Sequence, residues 1–390
     1  MEHRLHRPVD RRTLIRRSAV GAGALGLGMS GVCRPLGSAR AQDAAKFDAA
    51  ACFRPFPGAT TLQYEKVGDG GFNIGLSNSY IGNVWRTQMI KMAKAYSETP
   101  EIKPLIGTFQ VNTADRDDAA QIAAIENMIS NGAQAIVTIA NTPTALVPVV
   151  EQARKDGIVV VSFDSTVHAD PPDPSLDLGA TVNEDQVEMG RLWAQFLVDH
   201  TGGKGKILMV NGVPGTGVDT ERRQGAAEVW KANPGITTVE VQGDWDPGKA
   251  QTATATALAA NPDIVGVWCQ GGTDGVVRAF LDAGRPLVPV AGESENGFRK
   301  QMLEFKDKMP ALSIGQSPGL VCVSMRAALS LLLGEPVPSA VSVPLPSATT
   351  DQLVPGVNVF PDAPDNFFTT TQIPACGVNL SFEEVDKQQV

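Results

Sequence analysis

Short apolar runs alternate with longer segments of helical periodicity along this chain from residue 72 onward. Residues 72–76 and 135–140 read as buried strands, and residues 117–131 carry isoleucines on one helical face. Strand, helix and strand at this spacing indicate right-handed crossovers and parallel sheets. A proline-rich break at residues 168–177 divides the alternation into two series. The chain is therefore predicted to form two doubly wound α/β domains, with a ligand pocket between them.

The first strand leads into a polar loop and then into a helix. Residues 77–82 have the composition of a turn, and Asn83 is a suitable N-cap for a helix that carries Trp85. Open α/β sheets bind ligands at this point, outside the carboxyl ends of their strands. The loop offers amides, hydroxyls and aromatic rings but no phosphate-binding glycine run. This chemistry favours a neutral, polar and partly flat ligand.

The first 41 residues have the three parts of an export signal. A twin-arginine pair at residues 11–12 precedes a Gly- and Ala-rich run at residues 19–32, and a small-residue cleavage motif ends at Ala41. The arginine pair favours twin-arginine (Tat) export, which predicts a periplasmic protein. Cys33 has a second interpretation as a lipid-attachment site, although the residue before it fits that motif poorly. The apolar run is too short to span a membrane, which takes roughly 20 residues.

The chain that remains after this signal is strongly acidic. The whole sequence has 33 Lys and Arg against 42 Asp and Glu, and the first 41 residues hold eight of the former and two of the latter. The remainder has 25 basic and 40 acidic residues, a net charge of −15. Without a basic stripe, such a surface gives no reason to expect nucleic acid as a partner.

The sequence after the signal contains few residues suited to metal binding or redox chemistry. Four cysteines and two histidines follow the signal, and none of these cysteines forms a CxxC motif, so no metal site, cofactor or histidine-based triad is predicted. Cys269 and Cys322 lie in apolar segments and are expected to pack as small hydrophobic side chains. Cys52 and Cys376 lie in the two terminal extensions. Export would permit a disulfide between them, and the sequence leaves open whether it forms.

Several short motifs follow one another in a defined order. They are Gly82-Asn83-Val84-Trp85, Ser162-Phe163-Asp164, residues 211–217 followed by Glu221-Arg222-Arg223-Gln224-Gly225, Gly243-Asp244-Trp245-Asp246, Val290-Ala291-Gly292-Glu293 and residues 313–318. In this order the chain resembles the type I periplasmic binding proteins, the ribose/galactose-type branch that feeds ABC importers. The resemblance covers about residues 72–350.

The resemblance implies two lobes that exchange strands through three hinge segments. The hinge segments would lie near residues 177–180, 316–318 and 337–347. The predicted division is an N-terminal lobe of residues 72–179 plus 317–340, a C-terminal lobe of residues 180–316 plus 341–380, an N-terminal extension at residues 42–71 and a tail at residues 381–390.

The resemblance also assigns a ligand site residue by residue. The implied residues are Asn78, Tyr80, Asn83, Trp85, Asp164, Arg222, Trp245, Glu293 and Gln316. Their amide, carboxylate and guanidinium groups would exchange hydrogen bonds with sugar hydroxyls. The two indoles would cover the apolar faces of the sugar ring, and Gln316 would bind at the hinge. The sequence leaves open whether Arg222 or Arg223 faces the ligand.

Several of these residues also have a structural interpretation. The two indoles are suitable core residues, Asp164 is a suitable turn former, and the arginine pair suits a solvated helical turn. The chain also departs from ribose-binding members, because Ser165 stands where they have Arg and Gly271-Gly272 stands where they have Asn. These departures argue against ribose itself and favour a larger or differently substituted sugar or polyol.

The predicted function is an exported, monomeric solute-binding protein that passes a sugar or polyol to an ABC permease. It is not predicted to be an enzyme. A sensory protein that presents the same closed form to a receptor kinase or chemoreceptor is the alternative. An exported carbohydrate-active hydrolase is a further, less favoured alternative, because the two histidines that follow the signal supply a histidine-based triad poorly.

Overall fold

Two mostly parallel β-sheets, each flanked by helices, organise residues 46–390, the part of the chain that this computed structural model describes. The strands are β1 (Arg54–Pro55), β2 (Thr61–Leu62), β3 (Phe72–Asn78), β4 (Ile106–Thr113), β5 (Ala135–Ile139), β6 (Val159–Phe163), β7 (Ala180–Glu184), β8 (Lys204–Asn211), β9 (Gly235–Gln242), β10 (Ile264–Cys269), β11 (Val290–Gly292), β12 (Ala311–Ile314), β13 (Val337–Pro338), β14 (Ala340–Val343), β15 (Ser347–Thr349), β16 (Gln372–Ile373) and β17 (Val378–Asn379). The helices are α1 (Ala49–Cys52), α2 (Val84–Ser97), α3 (Asp118–Ser130), α4 (Val147–Lys155), α5 (Gln186–Thr201), α6 (Gly217–Ala232), α7 (Pro247–Ala260), α8 (Thr273–Asp282), α9 (Asn296–Glu304), α10 (Leu320–Leu332) and α11 (Phe382–Asp386).

Both sheets are doubly wound, as predicted. The first has the strand order β1-β14-β7-β6-β5-β3-β4 and the second has β15-β12-β11-β10-β8-β9. Neighbouring strands are parallel except at one edge of each sheet, where β1 and β15 run antiparallel to their neighbours. The strand order reverses beside β3 and beside β8, where an open α/β sheet has its ligand crevice. We call the first sheet with its helices the first lobe, and the second sheet with its helices the second lobe.

Side-chain caps fix where the helices begin. Asn83, Asp117 and Asp185 each accept a backbone N–H in the first turn of the helix that follows them. Thr216 and Asp246 do the same for α6 and α7. Such caps satisfy N–H groups that a helix leaves unpaired at its start. Each of these helices therefore begins at a defined residue in the loop after a strand.

The first passage between the lobes lies later than predicted. Ala180–Glu184 pairs with β6 and β14 in the first sheet, so the prediction that residue 180 starts the C-terminal lobe is wrong. Asp177, predicted at this passage, instead accepts from Arg154 of α4 at 2.9 Å. The proline-rich break is thus a loop within the first lobe, and the chain leaves that lobe only between β7 and α5. It returns between β12 and α10 and leaves again between β14 and β15.

The terminal segments are built into the first lobe. β1 forms an edge of the first sheet, so residues 54–55 are not a separate extension. Residues 341–380, predicted in the C-terminal lobe, are divided, because β15 joins the second sheet whereas the β16–β17 hairpin packs on the core of the first. The predicted tail contains α11, which packs on α2 and buries Val385. Apolar side chains at both ends of the chain explain these corrections, since each end covers part of one core.

A disulfide joins the two terminal segments, and the C-terminal segment crosses between the lobes once more. Cys52 and Cys376 are bonded, with a sulfur–sulfur distance of 2.06 Å, which answers a question that the sequence left open. Residues 360–370 lie against both lobes. The Asn296 side chain of the second lobe donates to the Phe360 carbonyl at 2.8 Å, and Gln88 of the first lobe donates to the Phe368 carbonyl at 2.7 Å. The described chain therefore passes between the lobes at four places.

The predicted export signal and Cys33 lie outside the described residues. Among the helices of residues 46–390, none combines the length and the apolar character that crossing a bilayer requires.

Candidate ligand-binding site

The residues predicted to bind ligand lie mostly at the carboxyl ends of strands. Asn78 ends β3 and Asp164 follows β6 in the first lobe. Trp245, Glu293 and Gln316 follow β9, β11 and β12 of the second sheet. Parallel strands end at the same edge of a sheet, so each lobe collects its polar loops at one edge.

Gln316 connects the two lobes at the passage between β12 and α10. Its side-chain Nε2 donates to Asp164 of the first lobe, and its Oε1 accepts from Arg222 of the second at 3.0 Å. Its backbone N–H donates to Glu293 at 2.6 Å, and its carbonyl accepts from the indole N–H of Trp85 at 2.9 Å. One buried residue therefore contacts four of the other predicted site residues.

Arg222 is enclosed and fully paired. Only 1 % of the residue is exposed, and besides Gln316 its guanidinium donates to Gln186 at 2.8 Å, to the Gln270 carbonyl at 3.1 Å and to Glu293 at 3.1 Å. Arg223 points away and pairs with Glu240 at 3.0 Å, with the side chains of both residues more than 40 % exposed. The structure thus distinguishes the two arginines, since Arg222 lies in the network and Arg223 lies at the surface.

Asp164 is held from the first lobe by an arginine that sequence reasoning did not assign. Its backbone has a φ of +56°, an uncommon conformation for a residue other than glycine, and its carbonyl accepts from Asn183 at 3.0 Å. The guanidinium of Arg86 lies 3.7 Å from its carboxylate. Arg86 is buried, and burial lowers its pKa against the opposing effect of Asp164. The sequence feature that could have pointed to Arg86 as a site residue was its place in the first turn of α2, beside the predicted loop.

Three predicted residues surround Arg86. The Asn78 side-chain oxygen accepts from the Arg86 guanidinium at 3.1 Å, and Asn83 accepts from the Arg86 backbone N–H at 2.9 Å. The ring of Tyr80 lies 4.8 Å from the Arg86 guanidinium and 4.2 Å from that of Arg116. Asn78 is completely buried, whereas Tyr80 and Asn83 are half-buried. In this arrangement Asn78 positions an arginine, and the other two retain exposed surface.

The two predicted indoles come from opposite lobes. Trp85 is half-buried in the first turn of α2 and packs on the first core. Trp245 is half-buried in the turn between β9 and α7 and lies against Gly212 and Gly271. Trp85 therefore belongs to the network around Gln316. Trp245 instead packs on Gly212 and Gly271 of the second lobe.

Two buried carboxylates, Glu184 and Glu295, were not assigned from the sequence, whereas Glu293 was. Glu184 ends β7 and accepts from the Ser317 backbone N–H at 3.1 Å. Burial raises its pKa well above the usual range. Burial also raises the pKa of Glu293, although Arg222 opposes this, and raises the pKa of Glu295 to about 8. Their signal was position, because each follows or ends a strand.

No group of three or more His, Cys, Asp or Glu suited to a metal ion occurs among residues 46–390. The polar groups at the site are instead amides, carboxylates and guanidiniums with two indoles nearby. Such groups suit a ligand with many hydroxyls and apolar C–H faces.

The sequence matches the family model described as periplasmic binding protein domain over residues 74–336, about two thirds of the chain. The chain belongs to this family. The match includes every residue predicted to bind ligand, and it ends before β14 and the C-terminal segment that crosses between the lobes.

Individual relatives are distant in sequence, at 19–26% identity for the three described next. The ribose import binding protein of Bacillus subtilis is 24% identical over 290 residues, which cover 73% of this chain and 90% of that protein. A solved solute-binding protein from Actinobacillus succinogenes with bound D-allose is 26% identical, with a TM-score of 0.61 over 72% of this chain and 98% of that one. The fructose-binding periplasmic domain of a hybrid two-component system shares the fold at 19% identity, with a TM-score of 0.57 over 72% and 91% of the two chains.

Proposed function

We propose that this chain is an exported solute-binding protein that captures a sugar or polyol between its lobes and delivers it unchanged to an ABC transporter permease. The observation that carries the proposal is the convergence on Gln316. Side chains from both lobes, Asp164 on one side and Arg222 on the other, meet on this residue. A ligand that contacts this junction contacts both lobes.

The proposal divides the site residues by their remaining capacity for hydrogen bonds. Arg222 and Asn78 hold other polar groups in place. Asp164 keeps a side chain that is 12% exposed, so its carboxylate retains capacity to accept from ligand hydroxyls. Trp85 and Trp245 offer indole surface from opposite lobes for the C–H faces of a sugar ring. Tyr80, Asn83 and Gln316 complete the proposed contacts, whereas Glu293, with both carboxylate oxygens already accepting, joins the residues that hold others in place.

Ligand capture by this arrangement requires no bond to be made or broken. Contacts from both lobes stabilise a closed form, and the population shifts towards it when ligand binds. A micromolar dissociation constant corresponds to about −8 kcal/mol. Two stacking rings and a few charge-assisted hydrogen bonds are sufficient for that free energy.

The relatives support a sugar or polyol as the ligand class. The protein from Bacillus subtilis is named for ribose import, and the structure from Actinobacillus succinogenes contains D-allose. Export through the twin-arginine route and a monomeric state are further parts of the proposal, and they rest on residues 11–41 and on the family. The hybrid two-component domain shows that a receptor can use the same fold. Permease and ATPase genes beside this one would favour transport, and a receptor kinase gene in their place would favour sensing.

A thermal-shift screen of residues 42–390 tests the proposal. The panel contains D-ribose, D-allose, D-xylose, L-arabinose, xylitol and myo-inositol at millimolar concentration. A micromolar binder stabilises the folded protein by about 4 kcal/mol under these conditions. We expect at least one member to raise the melting temperature while sodium glutamate and inorganic phosphate do not. No shift with any sugar or polyol, or turnover of one of them, would contradict the proposal.

A further inference from the structure

The ring of Trp245 packs into space that is free because residues 212 and 271 are both glycine. If Gly212 carried a Cβ, that atom would lie 2.5 Å from Cζ2 of the indole, and even closer to the neighbouring ring atoms. A Cβ at Gly271 would lie 3.0 Å from Cδ1 of the same ring. Carbon atoms pack at about 3.5–4.0 Å, so a side chain at Gly212 is incompatible with the present position of the ring.

The backbone does not explain the glycine at residue 212. Its φ is not in the left-handed region, whereas Gly271 has a φ of +153°. Gly212 follows β8 directly, and its N–H donates to Asp219 at 2.9 Å, so its backbone is fixed. The absence of a Cβ at residue 212 therefore serves the ring of Trp245.

The turn that carries Trp245 is fixed by hydrogen bonds, whereas its ring is held by packing alone. Asp244 and Trp245 both have positive φ, at +53° and +57°, which is costly for side chains of this size. The turn is retained because the N–H groups of Gly243 and Asp244 donate to the Asn211 carbonyl at 2.9 and 3.2 Å. The indole Nε1, in contrast, has no hydrogen-bond partner among residues 46–390. Packing against the two glycines therefore determines how deep the ring lies in the second lobe.

We propose that Gly212 and Gly271 are specificity-determining positions, because they set the depth of the Trp245 ring and hence the space left for a ligand on the second-lobe side. This inference rests on the proposed function. It also gives a physical role to Gly271, which stands where the ribose-binding pattern has a polar side chain. Gly212 and Gly271 act through Trp245 and are positioning residues, without contact to the ligand.

Gly212→Ala tests this role, with Gly75→Ala as the matched control. A Cβ at Gly75 would meet Sδ of Met128 at 2.5 Å, so the control creates a similar overlap with a flexible side chain in the first lobe. Dissociation constants are measured by titration calorimetry with the panel sugar that stabilises the wild type most. We expect Gly212→Ala to weaken binding about tenfold, the loss of one well-placed stacking contact, and Gly75→Ala to leave it unchanged. The loss should be greater for D-allose, a hexose, than for the pentose D-ribose.

A double-mutant cycle with Trp245→Ala separates a positioning role from a general structural one. If Gly212 acts through the ring, Gly212→Ala has less than about a twofold further effect once the ring is absent. Trp245→Phe, a smaller ring, should restore part of the affinity that Gly212→Ala removes. Additive effects in the cycle, or equal losses with Gly75→Ala, overturn this inference alone. A wild type that binds no member of the panel overturns the proposed function and this inference with it.

Discussion

The two lobes contribute to the crevice in different ways. On the second lobe, Arg222 and Glu293 are at most 4% exposed, and the guanidinium is bound by four partners. On the first lobe, the Asp164 side chain is 12% exposed, and Trp85 and Tyr80 are half-buried. Around Arg222 the second lobe thus forms a rigid, paired frame, whereas Asp164 of the first lobe keeps exposed carboxylate surface. Substitution of Arg222 should accordingly lower stability, and substitution of Asp164 should lower affinity.

The largest effect is expected for Arg222→Ala. The substitution leaves Glu293 buried without its cation, and breaking a buried pair in this way costs about 3–5 kcal/mol. Urea denaturation of residues 42–390 measures the loss. Arg223→Ala is the control, because its exposed pair with Glu240 is worth at most about 1 kcal/mol. Equal losses for the two variants would contradict the distinction between frame and surface.

The disulfide sets the first lobe apart from the second. Replacing both Cys52 and Cys376 by Ser should lower the free energy of unfolding by about 2–4 kcal/mol, because the unfolded chain is no longer constrained. Cys322→Ala, a buried free thiol in the same lobe, is the control and should have a smaller effect. Denaturation without reductant compares the variants. A double variant as stable as the wild type would show that the terminal segments hold the first lobe without the covalent bond.

Glu295 makes the second lobe sensitive to pH. Its pKa is raised from 4.5 to about 8 by burial. Between these values the folded state binds a proton that the unfolded state has lost, so stability falls as pH rises through this window. The limiting slope for one such group is about 1.4 kcal/mol per pH unit.

Glu295→Gln isolates this effect. The amide oxygen can still accept from the Gly272 N–H, which lies 2.5 Å from the present carboxylate oxygen. From pH 5 to pH 7 the wild type should lose about 2 kcal/mol more stability than the variant, as followed by urea denaturation. Parallel pH profiles for the two proteins would assign the sensitivity to other groups.

The smallest effect in energy is expected for Asp164→Asn, and it should concern affinity alone. The folded protein should keep its stability within about 1 kcal/mol, because the Asn oxygen can still accept from Gln316 and Arg86 keeps its hydrogen bonds to Asn78 and Ser79. Binding of the panel sugar should weaken about tenfold, because a charge-assisted hydrogen bond becomes a neutral one. Titration calorimetry measures the change. The control is Asp307→Asn, because Asp307 is exposed and precedes β12, at the end of that strand away from Gln316. Unchanged affinity would contradict the proposed ligand contact at Asp164.

Local patterns predicted much of the fold. The alternation of strands and helices and the cap at Asn83 rest on neighbouring residues, whereas the sequence left the pairing of Cys52 with Cys376 open. The place of β7 in the first sheet was not predicted, because it depends on pairing with β14, which lies more than 150 residues further along the chain. A parallel pair of this kind leaves no local signature in either strand.

The site was predictable as a set of residues but not as a network. The resemblance to the family assigned Asp164, Trp245 and Gln316, and the chemistry of their side chains suits a sugar. Arg86 directly follows the first motif and received no assignment, since only the fold brings it to Asp164. Arg222 and Arg223 are adjacent in sequence, and a helix directs neighbouring side chains about 100° apart, so one is buried and the other exposed.

A crystal structure of residues 42–390 with the sugar that gives the largest thermal shift tests the central claim most directly. The account predicts the ligand between the lobes, with a hydroxyl within hydrogen-bond distance of the Asp164 carboxylate and a C–H face on the ring of Trp245. A sugar bound elsewhere on the surface, or one that contacts only a single lobe, would contradict it.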